Sequence, residues 1–244
     1  MFLPVRDYLP SRSVPFVNYA LILANGVVFF TIAAPFGDSG DRSGLLVRPW
    51  EFVPASVFVD PLAAVLTVFT SMFMHANFQH LGGNMLFLWI FGDNVEDAIG
   101  HFRYLAFYLA GGVCAAVAQA IPDPLSTVPM VGASGAISAV LAAYAILYPR
   151  SPIAVFHAII PLWFFWGPFF YFPAWLVIGL YFVVNLGDAL VSGGQGGVAF
   201  MAHVGGFVGG AILLRSFMAG RERVDRYARW QRWTRQRPRY DGWS

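Results

Sequence analysis

Long apolar runs alternate with short polar breaks along the chain, and their spacing predicts helices rather than strands. The first run, Val17–Pro35, is interrupted only by Asn18 and Asn25. At about 19 residues it exceeds the ~7–15 of a signal-peptide core, so it is assigned as a membrane helix, with a signal peptide after Arg6 and Arg12 as the alternative. Phe36–Asp60 reads as a polar loop. Pro61–Phe73 is apolar but too short for an ordinary span, and is expected to be partly inserted or interfacial. Further spans are expected at about His80–Ile99, Tyr104–Ile121 and Val131–Tyr148, the last stopped by Pro149 and Arg150. Ile153–Leu190 is broken by Pro161, Gly167, Pro168 and Pro173. Proline removes a helix hydrogen bond, so the fifth span is set at Phe172–Leu186, with Ile153–Trp166 as an interfacial segment. The glycine-rich loop Ser192–Gly197 leads to a sixth span, Val198–Phe217. The expected architecture is an all-α membrane protein with a six-transmembrane-helix bundle. Residues 1–16 form an N-terminal segment, 17–217 the helical domain and 218–244 a tail.

Composition supports this reading. Of the 244 residues 58% are hydrophobic and only 11% charged, and the mean hydropathy is +0.62. A soluble domain carries roughly 25% charged residues, so a small soluble enzyme is excluded. The single Cys114 has no partner for a disulfide. All 15 basic residues are arginine. With six spans, thirteen fall on one side of the membrane and only Arg42 and Arg48 on the other. The excess of basic residues marks the cytoplasmic side, so both termini are expected there. The all-arginine usage and short N-terminus suggest a prokaryotic plasma membrane. The tail reads as a topology anchor or as a basic aromatic patch on anionic headgroups.

Polar groups inside apolar helices are costly and call for an explanation. His80 and Asn84 lie four apart, on one face of the second span, with His75 just before them. Ser134 opens the fourth span in Gly132-Ala133-Ser134-Gly135, and His203 lies near the start of the sixth in AHVGGFVGG, Ala202–Gly210. Each has a plain structural alternative: a serine bonding back to its own helix, a histidine that only packs, a polar clasp between helices. Yet all four come to a similar depth on the same side of the membrane. Ala202, Gly206 and Gly210 form one row of small residues, Gly205 and Gly209 another, and the fourth span presents Gly132, Gly135, Ala136, Ser138, Ala139 and Ala142. Small residues let helix backbones approach, which would bring Ser134 and His203 within hydrogen-bond reach, as a base needs to activate a serine. A zinc-protease helix would place two histidines four apart around a glutamate; His75 and His80 are five apart without one, so no metal is expected.

HANFQHLGGN (His75–Asn84), GASG (Gly132–Gly135) and AHVGGFVGG (Ala202–Gly210) together resemble the rhomboid family of intramembrane serine proteases, over about Pro61–Leu214. The resemblance implies Ser134 as nucleophile and His203 as general base. It also implies His80, Asn84 and the Ser134 backbone N–H as the oxyanion site, with His75 and Glu96 structural. Many members place an aromatic residue one turn after the serine, where this chain has Ser138. A Trp-Arg pair common in the first loop is absent in that order; Arg48-Pro49-Trp50 stands nearby. Transmembrane protein substrates within a lipid bilayer are implied, with no cofactor and no nucleic acid. Small or helix-breaking residues near the cut site would help a substrate to unwind, because a continuous helix hides its carbonyls. A non-catalytic rhomboid-like protein and a small transporter are the competing functions. The first would be expected to lack Ser134 or His203; the second would line a path through both leaflets.

Overall fold

A computed structural model describes residues 2–33, 48–159, 163, 167–191 and 200–220. The acidic part of the first loop (Asp38 and Asp41, with Arg42), the glycine-rich loop Ser192–Gly197, the first residues of the sixth span and the arginine tail from Arg221 lie outside the described residues.

The described chain is mostly helical. Strand β1 (Phe2–Asp7) precedes helix α1 (Phe16–Val28), which continues as a π-helical turn, Phe29–Ala33. Helix α2 (Pro61–Ser71) starts with proline in its first turn, and Asp60 caps it by accepting from Ala63 N–H at 3.1 Å. The second expected span is one helical path in three parts: α3 (Phe78–Phe87), a π-helical turn Leu88–Gly92, and α4 (Asp93–Ile99). Asn77 caps α3 by accepting from His80 N–H at 2.8 Å. Helix α5 (His101–Ala120), helix α6 (Ser134–Leu147), strand β2 (Pro152–His157), strand β3 (Phe169–Pro173), helix α7 (Ala174–Val191) and helix α8 (Phe200–Phe217) follow. Among the described residues α5 and α8 are long and apolar enough to cross a membrane, and Phe16–Ile32, Pro61–Ser71, Ser134–Leu147 and Ala174–Gly187 are shorter apolar helices.

The all-α expectation needs one correction. Ile153–Trp166 is not simply an interfacial segment: Pro152–His157 is the centre of a three-stranded antiparallel sheet in the order β1-β2-β3. Phe172, expected to open the fifth span, instead lies in β3, so α7 begins at Ala174. The prolines sit where a ladder tolerates a missing N–H. Pro152 opens β2, Pro173 closes β3, and Pro4 in the edge strand β1 adjoins an irregularity in register between Pro4 and Arg6.

Helix α6 is the buried axis of the bundle, every residue from Gly135 to Tyr144 being enclosed. Short side chains allow this, because α5 and α8 pack directly on it. A Cβ on Gly111 would collide with Ala139 Cβ, and one on Gly135 would lie 2.5 Å from Ala115 Cβ. At the end of the bundle remote from Ser134 the core is aromatic, with Phe91, Tyr104, Phe107, Tyr108 and Tyr144 all fully buried.

Candidate active site

Ser134 is the first residue of α6, at the N-terminal end of the buried axis. The first N–H groups of a helix have no intrahelical partner, and no side chain caps this one. The end of α6 therefore offers free amide donors and the positive pole of the helix dipole beside the serine hydroxyl. Ser134 is itself only part-buried, whereas its neighbours Ala133 and Gly135 are enclosed. The turn leading into it depends on Gly132, whose φ of +115° disfavours any residue with a side chain. Its N–H is held by Ser71 O at 2.9 Å.

Gly132 is also where α3 meets the serine. A Cβ there would lie 2.6 Å from His80 Cε1, 2.7 Å from His80 Nε2 and 3.7 Å from Asn84 Nδ2. The imidazole of His80 and the amide of Asn84 thus rest against the backbone two residues before Ser134, through a gap that only glycine leaves open. Asn84 is held in turn by His75, its Nδ2 lying 2.9 Å from His75 Nε2. His75 Nδ1 is 3.3 Å from Phe73 O, so the proton belongs on Nδ1 and Nε2 accepts from the amide. The rings of His75 and His80 meet edge to face at 5.1 Å.

Helix α8 delivers His203 from the other side. A Cβ on Gly206 would collide with Gly135 O and lie 3.2 Å from Ser138 Cβ, and one on Gly210 would lie 2.5 Å from Ala139 Cα. Gly206 and Gly210 are therefore the contact row against α6, while Gly205 and Gly209 form a second row against Cys114 and Ala118 of α5. Since Gly135 follows Ser134 and Gly206 is one turn beyond His203, this packing sets serine and histidine at one level. His203 is 5% exposed. Among the described residues no hydrogen bond joins Ser134 to His203, and His203 Nδ1 is buried without a partner. Catalytic hydrogen bonds are often long before substrate binds.

Ser138, which stands in the place of an aromatic, donates to Ser134 O at 2.9 Å and lies under Gly206. A large ring there would meet α8 at its closest approach. The aromatic neighbour comes from α7 instead: the Tyr181 ring is 6.0 Å from that of His203, and it also contacts Phe87 at 4.9 Å. Sequence reasoning missed Tyr181 because nothing in its apolar run distinguishes it from lipid-facing residues. The Arg48–Trp50 turn is anchored without a Trp-Arg pair, through Thr70 Oγ1 donating to Trp50 O at 2.9 Å. Just beyond it, Phe52 and Met130 pair through their backbones.

The remote end of the same helices carries a separate polar cluster. Glu96, fully buried, accepts from Val17 N–H at 3.1 Å and Asn18 N–H at 2.7 Å, capping α1 with a carboxylate, and lies 2.6 Å from His101 Nδ1. These contacts tie the start of α1 to α4 and α5. Asn18 bridges to Leu88 O at 2.9 Å and to the Tyr104 hydroxyl at 2.9 Å, beside Gly92.

The sequence also matches known proteins. The Rhomboid domain family model matches residues 63–219, well over half the chain. Rhomboid protein 1, mitochondrial, of Saccharomyces cerevisiae is 28% identical over 48% of this chain and 35% of its own length. Two Mus musculus proteins are similar as well. Presenilin-associated rhomboid-like protein, mitochondrial, is 30% identical over 55% of this chain and 34% of its own length. Rhomboid-related protein 2 is 33% identical over 58% of this chain and 44% of its own length. The chain thus spans less than half of each of these relatives. With a family match across α2 to α8 and its motifs gathered at one end of the bundle, this membrane protein belongs to the rhomboid family.

Proposed function

We propose that this protein is an intramembrane serine protease, hydrolysing peptide bonds in or near transmembrane helices with a Ser134–His203 dyad. The observation that carries the reading is the convergence on one helix end. His80 and Asn84 lie against Gly132, two residues before a part-exposed serine on an uncapped helix start, and a glycine row brings His203 to the same level.

His203 takes the proton of Ser134 Oγ as the hydroxyl attacks the scissile carbonyl. Nδ1 is sealed in, so Nε2 is the nitrogen that serves. The tetrahedral oxyanion is stabilised by His80, Asn84 and the Ser134 N–H. Histidine returns the proton to the leaving amine, and water then cleaves the acyl-enzyme through the same base. Preorganised donors of this kind are worth most where water is scarce. His75 supports Asn84, and Gly132, Gly135, Gly206 and Gly210 supply the turn and the close approach.

We assign six spans, with Ser134 and His203 in the outer part of the bilayer, both termini cytoplasmic and a prokaryotic plasma membrane as the location; the arginine split supports the orientation. The protease domain comprises residues 17–217, between the N-terminal segment and the arginine-rich tail. At 14 residues, α6 is about 21 Å long, shorter than the ~30 Å hydrocarbon core. A short central helix sets the serine below the membrane surface, in a dent that water fills from outside. The Pro122–Pro129 loop and α7 gate lateral entry of the substrate. The test is labelling of the purified protein by a serine-reactive fluorophosphonate. Labelling that disappears in Ser134→Ala supports the protease, and its absence in the unaltered protein leaves a non-catalytic family member.

A further inference from the structure

Helix α8 carries His203 three residues after its first described residue, Phe200, and the first N–H groups of a helix lack intrahelical acceptors. The Ala202 N–H, next to His203, donates to Gln119 Oε1 at 3.1 Å. An N-cap normally comes from the residue just before the helix. Here the acceptor comes from the last turn of α5, 83 residues earlier in the chain. The same helix grips α8 elsewhere too. Gly205 and Gly209 lie against Cys114 and Ala118, and Arg103 Nη1 donates to Phe217 O at 3.3 Å and to Ala219 O at 3.0 Å. Of these contacts only the Gln119 bond falls on the residue adjoining His203. The imidazole has no hydrogen bond at Nδ1 to hold it, so its position follows its own backbone and the Tyr181 ring.

We infer that Gln119 is a positioning residue for His203. It fixes the first turn of α8 against α5, and with it the level and rotation of the imidazole relative to Ser134. It acts through the α8 backbone and touches neither reacting side chain. The inference rests on the Ser134–His203 reading for its catalytic consequence, but the capping itself does not.

The test uses the full-length protein in detergent. Gln119→Met keeps the length of the side chain and removes the acceptor; Gln119→Glu keeps an acceptor. Three quantities are measured: hydrogen exchange over Phe200–Gly206, the rate of fluorophosphonate labelling, and kcat and KM for a transmembrane-helix peptide. Small misplacements of a catalytic group are costly. Gln119→Met should speed exchange and lower labelling and kcat roughly tenfold or more, with KM within about twofold. Gln119→Glu should recover both rates. Labelling and exchange at the unaltered rates in Gln119→Met would overturn the inference. So would a Gln119→Glu variant as slow as Gln119→Met. Should Gln119→Met not fold, Gln119→Asn withdraws the acceptor by one methylene and must reproduce the losses. If the unaltered protein neither labels nor cleaves, the protease reading fails by itself. Exchange then decides the cap: acceleration in Gln119→Met upholds it, and no change overturns it.

Discussion

The two ends of this bundle are both polar, and they spend their hydrogen bonds differently. At the remote end, most polar groups are committed to one another, although Asn94 Oδ1 is buried without a partner. Glu96 accepts from two backbone amides and meets His101, and Asp97 accepts from Arg12 N–H at 3.0 Å and Ser13 Oγ at 2.8 Å. Asn94 Nδ2 reaches Asp7 Oδ2 at 2.8 Å and Leu9 O at 3.1 Å. At the Ser134 end, a helix start is uncapped, a histidine nitrogen is partnerless, and Asn84 is held by one hydrogen bond to His75. Buried groups of this kind are normally satisfied. The lesson is that a closed network ties helices together, whereas an uncapped helix start beside a part-exposed serine and an unpartnered histidine nitrogen is arranged to receive a ligand.

The largest effects should come from the unsatisfied end and should fall on activity. Ser134→Ala and His203→Ala should each abolish cleavage while the melting temperature stays near that of the unaltered protein. More than a few percent of residual cleavage in either would break the dyad. Next come the oxyanion donors. Loss of one such donor typically costs on the order of 10²–10³ in turnover, or about 3–4 kcal/mol. Asn84→Ala and His80→Ala should therefore lower kcat with a smaller effect on KM. A polar clasp would do the opposite, lowering the melting temperature with near-normal kcat in the folded fraction. Measuring both on one preparation separates the accounts.

Glu96→Ala probes the committed end and should give the reverse pattern. It strips the cap from α1 and leaves His101 without its partner. Leaving the buried Val17 and Asn18 amides unpaired costs roughly 1–3 kcal/mol for each donor, read here as a drop in thermal or denaturant stability. The kcat of the molecules that remain folded should stay close to that of the unaltered protein. A Glu96→Ala protein of undiminished stability would erase the distinction between the two ends.

Much of the candidate site was legible because polar residues in apolar helices stand out. Ser134, His203, His80 and Asn84 were each visible as an anomaly, and the glycine rows indicated which helices approach. The sheet was not legible. FLPVRD, PIAVFH and FFYFP are short runs that periodicity cannot separate from helix, and each carries a proline that argues against a central strand. Their prolines sit at strand ends or beside the irregularity in β1, which only the pairing reveals. Gln119 and Tyr181 were illegible for another reason: their roles depend on α8 and α7 arriving beside them, a matter of helix packing that no local spacing encodes. Asn18 was visible as a break in the first run, and the rule that explains Ser134 would have assigned it a partner.

The response to pH tests how fully the remote end is satisfied. Asp7, on β1 outside the helical spans, accepts from the Tyr144 hydroxyl and from Asn94 Nδ2, both at 2.8 Å. Burial, reinforced by repulsion from Asp93, pushes its carboxyl pKa up to about 8 despite the Tyr144 hydrogen bond and nearby Arg6. The sign follows from which state holds the proton. Below about pH 4 the folded and unfolded chains both keep it, and the stability linked to Asp7 is fully present. Between about pH 4 and pH 8 the unfolded chain releases a proton that the folded one retains, so this contribution declines, and it is lost as pH rises through the folded value. Asp7→Asn removes the titration. The melting temperature of the unaltered protein should therefore fall more steeply than that of Asp7→Asn from about pH 5 to about pH 8. Cleavage per folded molecule should be equal in the two, since Tyr144 lies ten residues down α6 from Ser134, roughly 15 Å away. Equal slopes would mean that Asp7 is ionised in the folded protein, and that the remote end holds a charge its partners do not neutralise.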